Sequence, residues 1–220
     1  MPAPEQILVG LQSIASQAKW LAGVWHVLTL GAILGVVGGW RPSRRVIGAA
    51  VALPLLSVSA LAWFQGNPFN GAMFAALALA LAILGLRLPA TTTAQPRWWA
   101  LALGIGMTAF GLVYPHFVDA VSWMEYLYAA PTGLVPCPTL SLVIGVALVA
   151  DGLGSRAWAL VLACTGLFYG IFGALRLGVT LDVGLILGAS GLLARGLLQP
   201  RTGQCPRHDG PRSGASRATG

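Results

Sequence analysis

YPHFVDAVSWMEYLYAAPTGLVPCPT, residues 114–139, interrupts a chain that is otherwise close to continuous apolar helix. It gathers His116, Asp119, Glu125, Tyr114, Tyr126, Tyr128, Trp123 and Cys137. Pro115, Pro131, Pro136 and Pro138 break the helical pattern, since proline lacks an amide donor and clashes with the preceding turn. Working outward, apolar segments lie at 20–40, 46–64, 70–89 and 98–116 on one side, and at 138–154, 157–175 and 179–198 on the other. A helix needs about 20 apolar residues to cross a bilayer, with ~17 tolerated. The expected fold is all-α: a polytopic transmembrane bundle of about seven spanning helices. An outer loop with an interfacial helix is expected between the fourth and fifth.

Composition supports a lipid-facing surface. Hydrophobic residues make up 56% of the chain and charged residues 9%, where a soluble domain carries about a quarter charged. The net charge is +7, but the bases sit in short loops and one tail, not along a helix face, which argues against a nucleic-acid partner. The implied partners are the lipid bilayer and a membrane-protein partner or second copy meeting it through glycine seams. Gly31, Gly35 and Gly39 form a tandem GxxxG, repeated by Gly166/Gly170 and Gly184/Gly188. Such spacings let helix backbones approach closely in lipid. Pro54 is expected to kink the second helix.

The flanks differ from the bundle. Residues 1–18 do not read as a signal peptide. Ile7, Leu11, Ile14 and Ala18 recur at helical spacing opposite glutamines and serines, as in an amphipathic interfacial segment; a frayed terminus is the other reading. Residues 19–199 form the bundle, and residues 200–220, rich in Gly, Pro, Ser and Arg, read as a disordered cytoplasmic tail.

With seven spans, Arg41, Arg44, Arg45, Arg87, Arg97, Arg156, Arg195, Arg201, Arg207, Arg212 and Arg217 fall on one side, and Lys19 and Arg176 on the other. Positive charge marks the cytoplasm, so the N-terminus is expected outside and the C-terminus inside. That makes this a cell-membrane protein, of the inner membrane in a Gram-negative cell. Residues 114–139 then face outward.

The outer stretch holds the candidate chemistry. A helix over 118–128 would align His116, Asp119, Trp123 and Tyr126 along one side. Cys137, between two prolines at a helix start, would lie near the positive end of the helix dipole and be accessible from outside. His116, Asp119, Glu125 and Cys137 together offer N, O and S ligands, which suit a transition metal better than magnesium or calcium. The alternative is an aromatic belt of Trp and Tyr at the headgroups, with a His–Asp pair holding the loop and Cys137 filling a tight turn. His26 lies inside the first helix, where an ionisable residue marks either function or a bond to a backbone carbonyl across the bundle. Asp182 and Arg176 flank one turn and read as a salt bridge or a snorkelling pair, and Asp151-Gly152 reads as a turn. Arg41-Pro42-Ser43-Arg44-Arg45 reads as an anionic-lipid anchor.

Cys137, Cys164 and Cys205 show no metal spacing and should lie at different depths. HExxH, GxSxG, Walker A and paired catalytic carboxylates are missing from the sequence, so enzymatic chemistry is not signalled and no cofactor is named.

Tyr114-Pro115-His116 and Ala130-Pro131-Thr132-Gly133-Leu134-Val135-Pro136-Cys137-Pro138-Thr139 resemble elements of a bacterial family of multi-pass membrane proteins, catalogued as a domain of unknown function. The resemblance covers about a third of the chain; it implies the architecture and no activity. The open function classes are binding or passage of a small solute or metal ion through an outward vestibule, an accessory or scaffold protein on a partner complex, and a membrane thiol enzyme.

Overall fold

The computed structural model describes residues 3–117 and 123–199, without the side chains of Trp123 and Tyr126. Over these residues the chain is helical, and an isolated bridge between Ser43 and Thr92 is the only extended pairing among them. Helix α1 is Pro4–Gln17, α2 Lys19–Val37, α3 Arg44–Ala50, α4 Ala52–Phe64, α5 Pro68–Leu86 and α6 Trp98–Val113. After a short turn at Trp123–Glu125 come α7 Tyr126–Ala129, α8 Pro136–Val149, α9 Arg156–Ile171 and α10 Asp182–Leu197.

Local chemistry sets the breaks. Pro54 leaves the carbonyl of Ala50 without its helical donor, and the helix Arg44–Phe64 is interrupted at Val51, between α3 and α4, without ending there. Asn67 caps α5 by accepting from the Asn70 amide at 3.1 Å, with Pro68 in the first turn, where a missing amide costs nothing. Helix α8 likewise starts on Pro136.

Four helices are long and apolar enough to cross a membrane: Lys19–Val37, Arg44–Phe64, Pro68–Leu86 and Arg156–Arg176. Trp98–Val113 and Pro136–Val149 are apolar but shorter, and α10 has 16 residues. Helix α8, at 14 residues, is about 21 Å long. The buried, non-helical residues 130–135 precede it, so this part of the chain enters the bundle as irregular backbone and continues as a short helix.

Helix α8 is the axis of the core: from Pro136 to Gly145 every residue is buried. It lies against α6, α10 and α9, while α4 pairs with α5 and α9 with α10. Several contacts are made backbone to backbone. A Cβ on Gly104 would stand 2.9 Å from the Gly145 carbonyl oxygen, and one on Gly48 would stand 2.9 Å from Gly85 Cα. Such approaches replace the hydrophobic drive that helices lack in lipid. Gly166, Gly170, Gly184 and Gly188 also face neighbouring helices, as their spacing suggested.

The tandem glycines of α2 do not form a seam inside the bundle. Gly31 and Gly39 have nothing within 4 Å, and Gly35 meets only Trp40. Helix α2 buries only Ala22 and His26, so its glycine-bearing half stands on the outer surface.

Candidate functional site

The polar centre lies at the end of the bundle where α6 finishes and α8 and α10 begin. Asp182, the first residue of α10, is 1% exposed. Its carboxyl accepts from the Tyr114 hydroxyl at 2.7 Å through Oδ1 and from the Cys137 thiol at 3.2 Å through Oδ2. Tyr114 and Cys137 are buried too. The carboxyl fits because a π-helical turn, Phe172–Arg176, presents Gly173 to it; any Cβ there would overlap Asp182. A single π turn is a frequent device at functional sites.

The chain between Ala129 and Thr139 is buried without regular helix up to Pro136, so its backbone groups need local partners. Thr139 supplies two: its hydroxyl donates to the Val135 carbonyl at 2.7 Å and accepts from the Gly133 amide at 2.8 Å. Thr132 donates to the Gly111 carbonyl on α6. The Leu134 and Val135 amides both donate to the Pro131 carbonyl at 3.1 Å. Gly133 has φ +77°, and the Trp25 indole occupies the space its side chain would need. Trp25 in turn donates to the Ser57 hydroxyl at 3.2 Å. Helix α2 thus clamps the turn that delivers Cys137.

A second polar pair sits nearby. The Tyr169 hydroxyl donates to Asn70 Oδ1 at 2.9 Å, and Tyr169 is close enough to Cys137 to interact electrostatically. Asn70 and Tyr169 bring α5 and α9 to the same end as Tyr114, Cys137 and Asp182.

The expected site residues divide as follows. Tyr114 and Cys137 enter the cluster. His116 is half-buried and stands edge-on to Phe117 with centroids 4.3 Å apart. Asp119 lies outside the described residues, as do the Trp123 and Tyr126 side chains. Glu125 ends the short turn before α7. Among the described residues, no three His, Cys, Asp or Glu side chains group closely enough to hold a metal ion. His26 is buried, with Nδ1 2.8 Å from the Ala22 carbonyl oxygen and Nε2 2.8 Å from that of Leu112. A neutral ring donates to one of them and an imidazolium to both; the second contact ties α2 to α6.

Two expectations are corrected. Asp182 does not pair with Arg176: the carboxyl turns inward over Gly173, while Arg176 stays exposed. Nor is Cys137 accessible; the turn at 130–135 buries it, and of the two described cysteines Cys164, on α9, is the exposed one. Sequence reasoning missed Asp182 as the hub, and missed Asn70 and Tyr169 altogether. The available signal was that Asp182 is one of only six acids and opens an apolar helix.

The opposite end is basic. Asp151 accepts both Nε and Nη2 of Arg195 at 2.6 Å, across the turn expected at Asp151-Gly152. The Gln199 side-chain amide donates to the Asp151 carbonyl at 3.1 Å.

Comparisons of the chain with protein-family models, with curated proteins and with solved structures give no match.

Proposed function

We propose that the chain is an integral membrane protein of about seven spans, N-terminus outside and C-terminus in the cytoplasm, that binds or passes a small solute or metal ion at its outward end. It would belong with the bacterial multi-pass family whose Tyr-Pro and Pro-Cys-Pro-Thr elements it shares. The observation that carries this reading is Asp182: a carboxyl buried in an apolar bundle with a phenol and a thiol as partners, and no Lys or Arg in ion-pair contact among the described residues. Burying a carboxyl in such surroundings is costly, and ionisable groups kept there mark ligand paths or sites.

The chemistry follows from the pair Cys137–Asp182. Two ligands of one tetrahedral ion, a thiolate sulfur and a carboxylate oxygen, stand about 3.5 Å apart. Sγ and Oδ2 are 3.2 Å apart here, so an ion could enter between them with little movement. The thiol proton would leave as the metal–sulfur bond forms. A third ligand would have to move in, since no third His, Cys, Asp or Glu among the described residues stands close enough; the candidates are His116, Asp119 and Glu125.

The test is metal analysis and thermal stability of protein purified without chelator, comparing wild type with Asp182→Asn and Cys137→Ser. Stoichiometric metal in wild type, lost in both variants, supports a metal ion. Thermal stabilisation by a small solute that Asp182→Asn abolishes supports the solute form. Sub-stoichiometric metal together with no such stabilisation would sink both.

A second reading, an accessory protein that docks a partner helix, is favoured by one observation: Gly23 and Gly31 on α2 have open space beside them. Cross-linking from cysteines placed at these positions tests it.

A further inference from the structure

We infer that the basic end of the bundle carries a binding site for the phosphate of an anionic phospholipid, built on Arg44 and Arg45. Three segments meet there. Ser43 pairs with Thr92, and the Arg44 amide donates to the Thr91 carbonyl at 2.9 Å, which joins 43–44 to the chain leaving α5. The Arg44 guanidinium lies over Gly154, in the turn between α8 and α9, where a side chain would collide with it.

Each guanidinium is anchored through its Nε, and Arg44 also packs Nη1 over Gly154. Arg44 Nε donates to the Thr92 carbonyl at 3.3 Å, and Arg45 Nε to the Leu88 carbonyl at 3.2 Å. A guanidinium has five donors in a rigid fork that matches phosphate oxygens. Using Nε on a backbone carbonyl fixes the plane of the fork and leaves Nη2 of Arg44 and the Nη donors of Arg45 for a ligand. Side chains ordered beforehand lose less entropy on binding.

Charge and depth identify the ligand. Arg41, Arg87 and Arg97 occur in the same connecting segments, and Arg156 opens α9, close in sequence to Gly154. Asp151, the acid at this end among the described residues, is already engaged by Arg195. The positive field is therefore not cancelled locally. Trp40 and Trp98 are 51% and 82% exposed, and each adjoins an arginine, Arg41 and Arg97. Exposed Trp beside Arg, at the ends of apolar helices, marks the headgroup level. A phosphate at that depth belongs to a lipid, and net negative lipids gain from the surplus charge where zwitterionic ones do not.

The inference needs the chain to lie in a bilayer but not the Asp182 site, which is at the other end of the helices. The test uses full-length protein in mild detergent, titrated with phosphatidylglycerol or with phosphatidylcholine of the same acyl chains, bound lipid being counted by native mass spectrometry. Wild type should prefer phosphatidylglycerol. Arg44→Gln should weaken it about fivefold, and Arg44→Gln with Arg45→Gln about thirtyfold. Cys137→Ser and Asp182→Asn should leave it unchanged. Should the double variant fail to fold, raising salt on wild type should strip phosphatidylglycerol before phosphatidylcholine. Equal binding of the two lipids, or a folded double variant that binds as wild type does, would overturn the inference. So would displacement by inorganic phosphate at matched concentration, which would mark a free-phosphate site.

Discussion

Replacing Gly145 with alanine probes a backbone-to-backbone contact between α8 and α6, and replacing Gly31 provides its control. A Cβ on Gly145 would meet the backbone amide of Thr108 and stand 2.8 Å from the Gly104 carbonyl oxygen. These are backbone atoms of α6 and cannot turn away as a side chain can. Helix α6 must move off α8, and it carries Tyr114 at its end. Overpacking of this kind costs about 1–3 kcal/mol. At roughly 2 kcal/mol, and about 2–4 °C per kcal/mol for a chain of this size, the melting temperature should fall by about 4–8 °C. Gly31→Ala adds its methyl to open space and gains up to ~1 kcal/mol of helix propensity. It should melt at or slightly above wild type. The assay is thermal aggregation in mild detergent, followed by size-exclusion recovery of monomer. A Gly145→Ala protein as stable as wild type, or a Gly31→Ala protein several degrees less stable, would refute the assignment of packed and open glycine faces.

Tyr114→Phe removes one donor from a buried carboxyl, and a bond to a charged group contributes about 1.5–3 kcal/mol; its melting temperature should fall accordingly, whereas Tyr128→Phe, at an exposed position, should not change it. In the folded protein an impermeant maleimide should leave Cys137 unlabelled until denaturant is added; rapid native labelling, read by mass spectrometry after digestion, would contradict its burial. Arg195→Gln strands Asp151 beside α9 and should cost about 3 kcal/mol, with partial recovery in Asp151→Asn/Arg195→Gln, measured by the same thermal assay. A periplasm-active reporter fused at the C-terminus should be silent in whole cells, and strong activity would reverse the proposed orientation.

The amino-acid sequence by itself determined the helical class and most places where helices start and stop. Pro54 acts on its own neighbours, so the bend between α3 and α4 could be read without knowing what surrounds it, whereas α8, expected from 138, starts two residues earlier at Pro136. Scarce charge and long apolar runs likewise speak for lipid-facing helices whatever their arrangement. Only the tertiary structure decided which glycines close a seam, because that depends on how each helix is rotated about its axis. Gly31 and Gly166 look alike in sequence, yet one faces open space and the other Ile144. It also decided the polar centre. Tyr114 and Cys137 reach Asp182 across 68 and 45 positions of chain, so the carboxyl's partners came from the packing of α6, α8 and α10, and its nearest base in sequence, Arg176, was left in the open. Local sterics act within a turn of helix, but the pairing of a buried charge is set by whichever groups the folded helices bring within about 3 Å of it.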